Sequence, residues 1–127
     1  MKLVSGASLA QGAQSIVSLL QTGPLLVGQP FLNDWENPAP GGMIDGNGSS
    51  ATLQQQLADG VAGGHETLLM GIEKLSLSAT GQVEPHQTII RFRNSWSASW
   101  GDEGDYLAHL STYVALGSNC DYRQLTV

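Results

Sequence analysis

The sequence predicts an α+β fold dominated by an antiparallel sheet. Three observations carry this expectation: one N-terminal stretch with helical apolar periodicity, several later runs with strand alternation, and an abundance of turn residues. Sixteen glycines and five prolines in 127 residues are more than a helical bundle uses. The length predicts one domain, residues 1–127, burying roughly two-thirds of the surface its unfolded chain exposes. Hydrophobic content is 41% and charged content 13%, the balance of a chain that folds.

The main helix is expected in "SLAQGAQSIVSLLQTGP". Leu9, Ala13, Ile16, Val17 and Leu20 form a single apolar stripe at i, i+4, i+7, i+8 and i+11. Ser8 with Gln11 fits a capping box, and Gly23-Pro24 is a stop signal. "PLLVGQPFL" reads as a largely buried strand, interrupted at Gly28 and ended near Pro30. From Asn33 to about Gly64 the chain is loop-like, with turn chemistry in "NDWENPAPGGMIDGNGSS" and one or two helical turns in "SATLQQQLADG". "HETLLMGIEKLSLSATGQVEPHQTIIRFRNS" contains two strands joined by a hairpin around Thr80-Gly81. In the second of these, Ile90 and Phe92 share one face and Arg91 and Arg93 the other. "YLAHLSTYV" is read as a further strand.

Charge excludes some partners. Five Lys plus Arg stand against eleven Asp plus Glu, a formal charge of −6, which argues against nucleic acid and against an anionic membrane surface. No apolar run approaches the ~20 residues of a membrane span. The start, "MKLVSGASLAQGAQ", lacks the sustained apolar region of a signal peptide, so the sequence assigns no compartment. One cysteine, Cys120, cannot form an internal disulfide.

The chemistry-bearing residues gather around "NSWSASWGD", residues 94 to 102. His65 opens the strand "HETLLMGI" after Gly63-Gly64, and Asn94 ends the next strand. An antiparallel hairpin sets the start of one strand beside the end of the other, so His65 and Asn94 are predicted neighbours. An amide oxygen that accepts one imidazole N–H fixes the ring's tautomer and orientation. Trp96 over the pair would exclude water and strengthen the bond.

These residues resemble the C-terminal half of a papain-family cysteine peptidase. In that family a histidine opens a strand in "HAVxxVGY", where this chain has "HETLLMGI". The next strand ends in "KNSWGxxWGExGY", where this chain has "RNSWSASWGDEGDY". Upstream, a helix leading into "GPVxV" and then "GGI" or "GGV" correspond to "AQSIVSLLQTGPLLVG" and "GGMIDG", in the same order. The resemblance runs from about Ser8 to the C terminus. It implies the papain-like right-hand domain, an antiparallel half-barrel with one main helix. It implies His65 as general base and Asn94 as its orienter, with Trp96 and Gly64 forming the active-site wall. Trp100, Gly101 and Gly104 would be structural parts of the turn, and no cofactor or metal is implied.

The chain also departs from the pattern. Ser97 replaces a glycine, Asp105 is an extra residue, and Glu66 stands where the family has a small residue. Strand alternation is expected to point this acid away from His65. The family's nucleophile lies in "CGSCW", ~130–150 residues before the histidine and asparagine, whereas 64 residues precede His65 here and none is cysteine. The oxyanion glutamine belongs to the same segment. "SGASLAQ" mimics "CGSCWA" superficially, but Ser8 is read as a helix cap, and Cys120 in "GSNCDY" as a structural cysteine.

Other features have plainer readings. "DGNGSS" opens like a calcium loop but has Gln56 at the twelfth position. His65, His86, His109 and Cys120 lack close ligand spacing. Asp102, Glu103 and Asp105 read as a solvated acidic turn. The implied function is the His/Asn half of a cysteine peptidase acting on protein or peptide, completed by a Cys-bearing segment or second chain. The alternative is an inactive pseudopeptidase that binds protein in the same cleft. Either way an exposed cleft face would seek a complementary polypeptide or self-associate.

Overall fold

A computed structural model describes residues 8–124; the "MKLVSGA" start read for a leader lies outside them. Helix α1 spans Leu9–Leu20, strand β1 Leu25–Leu32, helix α2 Ser50–Ala58 and strand β2 Val61–Lys74. Strands β3 and β4 span Ile89–Arg93 and Asp105–His109, helix α3 Leu110–Leu116 and strand β5 Asp121–Gln124. The sheet has five strands in the order β4-β3-β2-β1-β5, and every named pairing is antiparallel. The architecture is α+β.

Helix α1 begins as its sequence signals. The Ser8 hydroxyl accepts from the Gln11 N–H at 3.1 Å, and the Gln11 side chain accepts from the Ser8 N–H at 3.0 Å. Its inward stripe buries Ala13, Ile16 and Val17 against a core that includes Leu25, Val27, Leu69, Ile90 and Phe92. Each of the Val, Ile, Leu and Phe side chains contributes about 1.5–3 kcal/mol when fully buried. Aromatic rings knit the sheet to α3: Phe92 stacks on Tyr106 at 4.7 Å and on Tyr113 at 4.5 Å.

The structure corrects several element expectations. α1 is the longest of three α-helices among the described residues, α2 forms where helical turns were expected in "SATLQQQLADG", and only α3 was not expected. β1 continues through Pro30 to Leu32. β5 reaches only as far as Gly28, so Pro30 lies where β1 has no neighbour on that side and its missing N–H is tolerated. His65 does not open its strand. β2 starts at Val61, because Val61, Gly63 and Gly64 pair with Leu32, Phe31 and Pro30. "YLAHLSTYV" is half strand and half helix, turning at His109. Residues 110–114 are all buried, so no periodicity distinguished helix from strand there. The tight turn at Thr80-Gly81 is present, with Gly81 N–H donating to Ser78 O at 2.9 Å. The long strands it was expected to join end earlier, at Lys74, and resume at Ile89.

Candidate active site

The register of β2 and β3 brings the first two site residues together. Leu68 pairs with Arg93, so Asn94 leaves β3 just where β2 carries His65, three residues before that pair. His65 Nε2 and Asn94 Oδ1 are 2.8 Å apart. Asn94 is 5% exposed, its backbone is held by an N–H bond to Gly104 O at 3.0 Å, and its Oδ1 also accepts the Ser95 N–H at 2.9 Å.

These two bonds determine the imidazole's state. A backbone N–H only donates, so the amide atom facing Ser95 is the oxygen. An oxygen without hydrogen only accepts, so the proton of the second bond sits on His65 Nε2. In the neutral ring Nδ1 is then the bare base, and it has no hydrogen-bond partner among the described residues. The Asn94 Nδ2 is buried without a partner among the described residues, a cost of about 1–3 kcal/mol.

Aromatic rings fix the imidazole plane. Phe31 of β1 meets it edge-on with centroids 5.1 Å apart, and Trp96 lies over it at 5.3 Å and 32°. Trp96 also touches Phe31 and Trp100, at 5.4 and 4.9 Å. It is 38% exposed, so one indole face shelters the ring while the other meets solvent. Gly64 lies opposite Pro30 and is exposed, bordering the cavity beside His65. Glu66 points the other way, over Gly28, whose added Cβ would lie 3.9 Å from Glu66 Cγ. Strand alternation separates this carboxylate from the imidazole.

The loop carrying Trp96 is held from several directions. Trp100 Nε1 donates to Glu36 O at 2.8 Å, across 64 positions of sequence. Gly101 has φ +63°, and an added Cβ would come within 2.2 Å of Asp105 O, so only glycine fits. Gly104 (φ +92°) donates its N–H to Trp100 O at 2.8 Å.

The acidic turn is not simply solvated, and here the sequence reading is corrected. Asp105 is 5% exposed. It accepts from Arg91 at 3.1 Å and Arg93 at 3.0 Å, while Arg91 also reaches Asp102 at 2.9 Å and Glu73 at 2.8 Å. Burial alone would raise the Asp105 carboxyl, but the guanidiniums of Arg93 and Arg91 overcome it and hold the group below the usual carboxylate range. Arg91 thus ties the loop after Asn94 to β2, β3 and β4. Its alternation with Phe92 was legible in sequence; its partners were not.

No family model matches the chain. No curated protein matches it either.

The remaining candidates have structural roles. In "DGNGSS", Asp45 turns inward and accepts from the His109 backbone N–H (2.8 Å), His109 Nδ1 (2.9 Å) and Thr112 (2.6 Å). Asn47 and Ser49 cap the approach to α2. His86 Nδ1 lies 3.2 Å from Gly48 O. Among the described residues no three metal-ligating side chains gather, and no helix is long and apolar enough to cross a membrane. Cys120 is fully buried, and burial pushes its thiol up to about 12 against an opposing bond with Tyr122. Such a thiol is not a nucleophile.

One group escaped the sequence reading. Beneath the site, Gln29 Nε2 donates to Thr67 at 2.7 Å and to Tyr106 at 3.2 Å, and the Tyr113 hydroxyl donates to Gln29 Oε1. Thr67 lies two residues from His65 on the same strand face. The signal was available: Leu25, Val27, Gln29 and Phe31 alternate in phase, which points Gln29 inward.

Proposed function

We propose that this chain is the His/Asn-bearing half of a papain-like cysteine peptidase, its sheet and α1 forming the right-hand domain of that architecture. The thiolate comes from an upstream segment or a second chain. The observation that carries the reading is the His65–Asn94 bond, with the proton held on Nε2 and Nδ1 left basic under Trp96. In the reaction, Nδ1 takes the thiol proton, and the resulting thiolate attacks the scissile carbonyl. The imidazolium then returns that proton to the leaving amine as the C–N bond breaks, and water releases the acyl group. Val61 and Trp96, both exposed large apolar residues, are where a completing polypeptide gains contact.

The second reading is a non-catalytic module that binds protein in the same cleft. The burial of Cys120 favours it, because the chain then brings no thiolate of its own. The experiment is native mass spectrometry of the protein isolated from its source after treatment with a thiol-directed peptidyl electrophile. The peptidase reading expects a labelled cysteine other than Cys120, on the same polypeptide or a bound partner. It also expects labelling to slow at least about a hundredfold in His65→Ala, the scale of a lost general base. Absence of a labelled cysteine, or equal labelling in His65→Ala, overturns it.

A further inference from the structure

Gln29 stands directly opposite His65 in the β1–β2 ladder. Opposed residues of an antiparallel pair share one face, so Gln29, Phe31, His65 and Thr67 all point to the same side of the sheet. Gln29, Thr67, Tyr106 and Tyr113 are each at most 4% exposed, and their hydrogen bonds close a circuit beneath the site. Gln29 Oε1 carries no hydrogen, so Tyr113 donates to it. The Tyr106–Tyr113 bond of 2.9 Å therefore takes its proton from Tyr106. The Thr67–Tyr106 bond of 2.9 Å then takes its proton from Thr67. Gln29 Nε2 completes the circuit by donating to Thr67 at 2.7 Å, with its second proton on Tyr106 at 3.2 Å. Each hydroxyl donates once and all in one sense, the arrangement in which hydrogen bonds polarise and strengthen one another. Burial holds both phenols above the usual tyrosine range, so the circuit keeps its protons at neutral pH.

We propose that Gln29, Thr67, Tyr106 and Tyr113 are positioning residues for His65: their closed circuit fixes Tyr106, and Tyr106 holds the aromatic cage that orients the imidazole toward Asn94. The Tyr106 ring meets Phe31 edge-on at 5.8 Å and Trp100 at 5.9 Å. Phe31 packs on the imidazole, and Trp100 packs on the Trp96 that covers it. Gln29 and Thr67 reach the same imidazole through the backbone, one across the ladder and one along β2. Apolar side chains of the same shape would fill this space without needing partners; four mutually bonded polar groups add direction. In "HETLLMGI" Thr67 takes the place of the valine in "HAVxxVGY", so the circuit is not part of that motif. That His65 acts as a base rests on the peptidase reading; that the circuit sets its orientation rests on the geometry.

The test reads the His65 tautomer by long-range ¹H–¹⁵N correlation on ring-labelled histidine, at a pH where the ring is neutral. Thr67→Val keeps the side-chain shape and removes the hydroxyl between Gln29 and Tyr106, whereas Thr67→Ser keeps that hydroxyl. Tyr113→Phe opens the circuit elsewhere and keeps the ring stacked on Phe92, so it decides the matter if Thr67→Val does not fold. Thr88→Val is the control: it removes a buried hydroxyl bonded to Ser76, at the end of β3 away from Asn94. Thr67→Val and Tyr113→Phe are expected to lower the ratio of Nε2–H to Nδ1–H imidazole by about two- to tenfold, the scale of one neutral hydrogen bond. Thr67→Ser and Thr88→Val should leave it unchanged. A merely structural circuit would lower the urea midpoint in all three hydroxyl-deleting variants without moving the ratio in the folded protein. An unchanged ratio in the circuit-breaking variants, or an equal fall in Thr67→Ser or Thr88→Val, overturns the proposal. No cysteine enters this measurement, so it fails separately from the labelling experiment that decides the peptidase reading.

Discussion

Replacing Asn94 tests the site at its centre. Asn94→Ala removes the acceptor shared by His65 Nε2 and Ser95 N–H. A neutral hydrogen bond contributes about 0.5–1.5 kcal/mol net, and 1.4 kcal/mol is tenfold in an equilibrium. The ratio of Nε2–H to Nδ1–H imidazole should therefore fall by about two- to tenfold. Ser95 loses its acceptor in the same substitution, adding about 1–3 kcal/mol of destabilisation if water does not replace it. The assay is long-range ¹H–¹⁵N correlation on ring-labelled histidine at a pH where the ring is neutral, with His65→Gln assigning the signals among His65, His86 and His109. Asn94→Asp keeps an oxygen toward both donors and should retain the Nε2–H form. A wild-type ring protonated on Nδ1, or an unchanged ratio in Asn94→Ala, refutes the tautomer reasoning.

Three further outcomes are expected. Gly48→Ala should cost about 2–5 kcal/mol in urea unfolding, combining a left-handed φ of +74° with a Cβ 2.3 Å from the His109 ring carbon. Gly81→Ala, at φ +83° in open space, should cost only about 1–2 kcal/mol, and equal losses would show that the His109 ring yields. Asp105 has a lowered folded-state pKa, so its stabilisation is present above about pH 4 and is lost as pH falls through the folded value. Arg91→Met should cost about 1–3 kcal/mol at pH 7 and flatten the acid limb of a stability-versus-pH curve followed by circular dichroism. Cys120, its thiol raised to about 12 by burial, should resist a disulfide reagent at pH 8 until denaturant is added.

Local signals carried α1 and its cap, the β3 alternation and the His65–Asn94 pairing, because each depends on neighbours in sequence or on one hairpin. Three kinds of feature were not legible. Pro30 was read as a strand end, since edge tolerance depends on how far β5 extends. α3 was read as strand, since burial on all sides erases periodicity. The roles of Asp45, Gln29 and Arg91 were hidden because their partners lie 64, 38 to 84, and 11 to 18 positions away. Polar residues whose meaning is a distant partner look like surface when read one stretch at a time.

The bond from Trp100 to Glu36 has a kinetic corollary. The imidazole sits on β2, its orienter follows β3, its packing ring comes from β1, and the loop over it is fastened to residue 36. No short fragment of the chain contains this arrangement, and closing such long loops is entropically slow. The site should mature only in the last, sheet-wide step of folding. Hydrogen exchange at the Ser95 amide should therefore proceed through global opening. A latent His/Asn pair would then exist only in molecules that are fully folded.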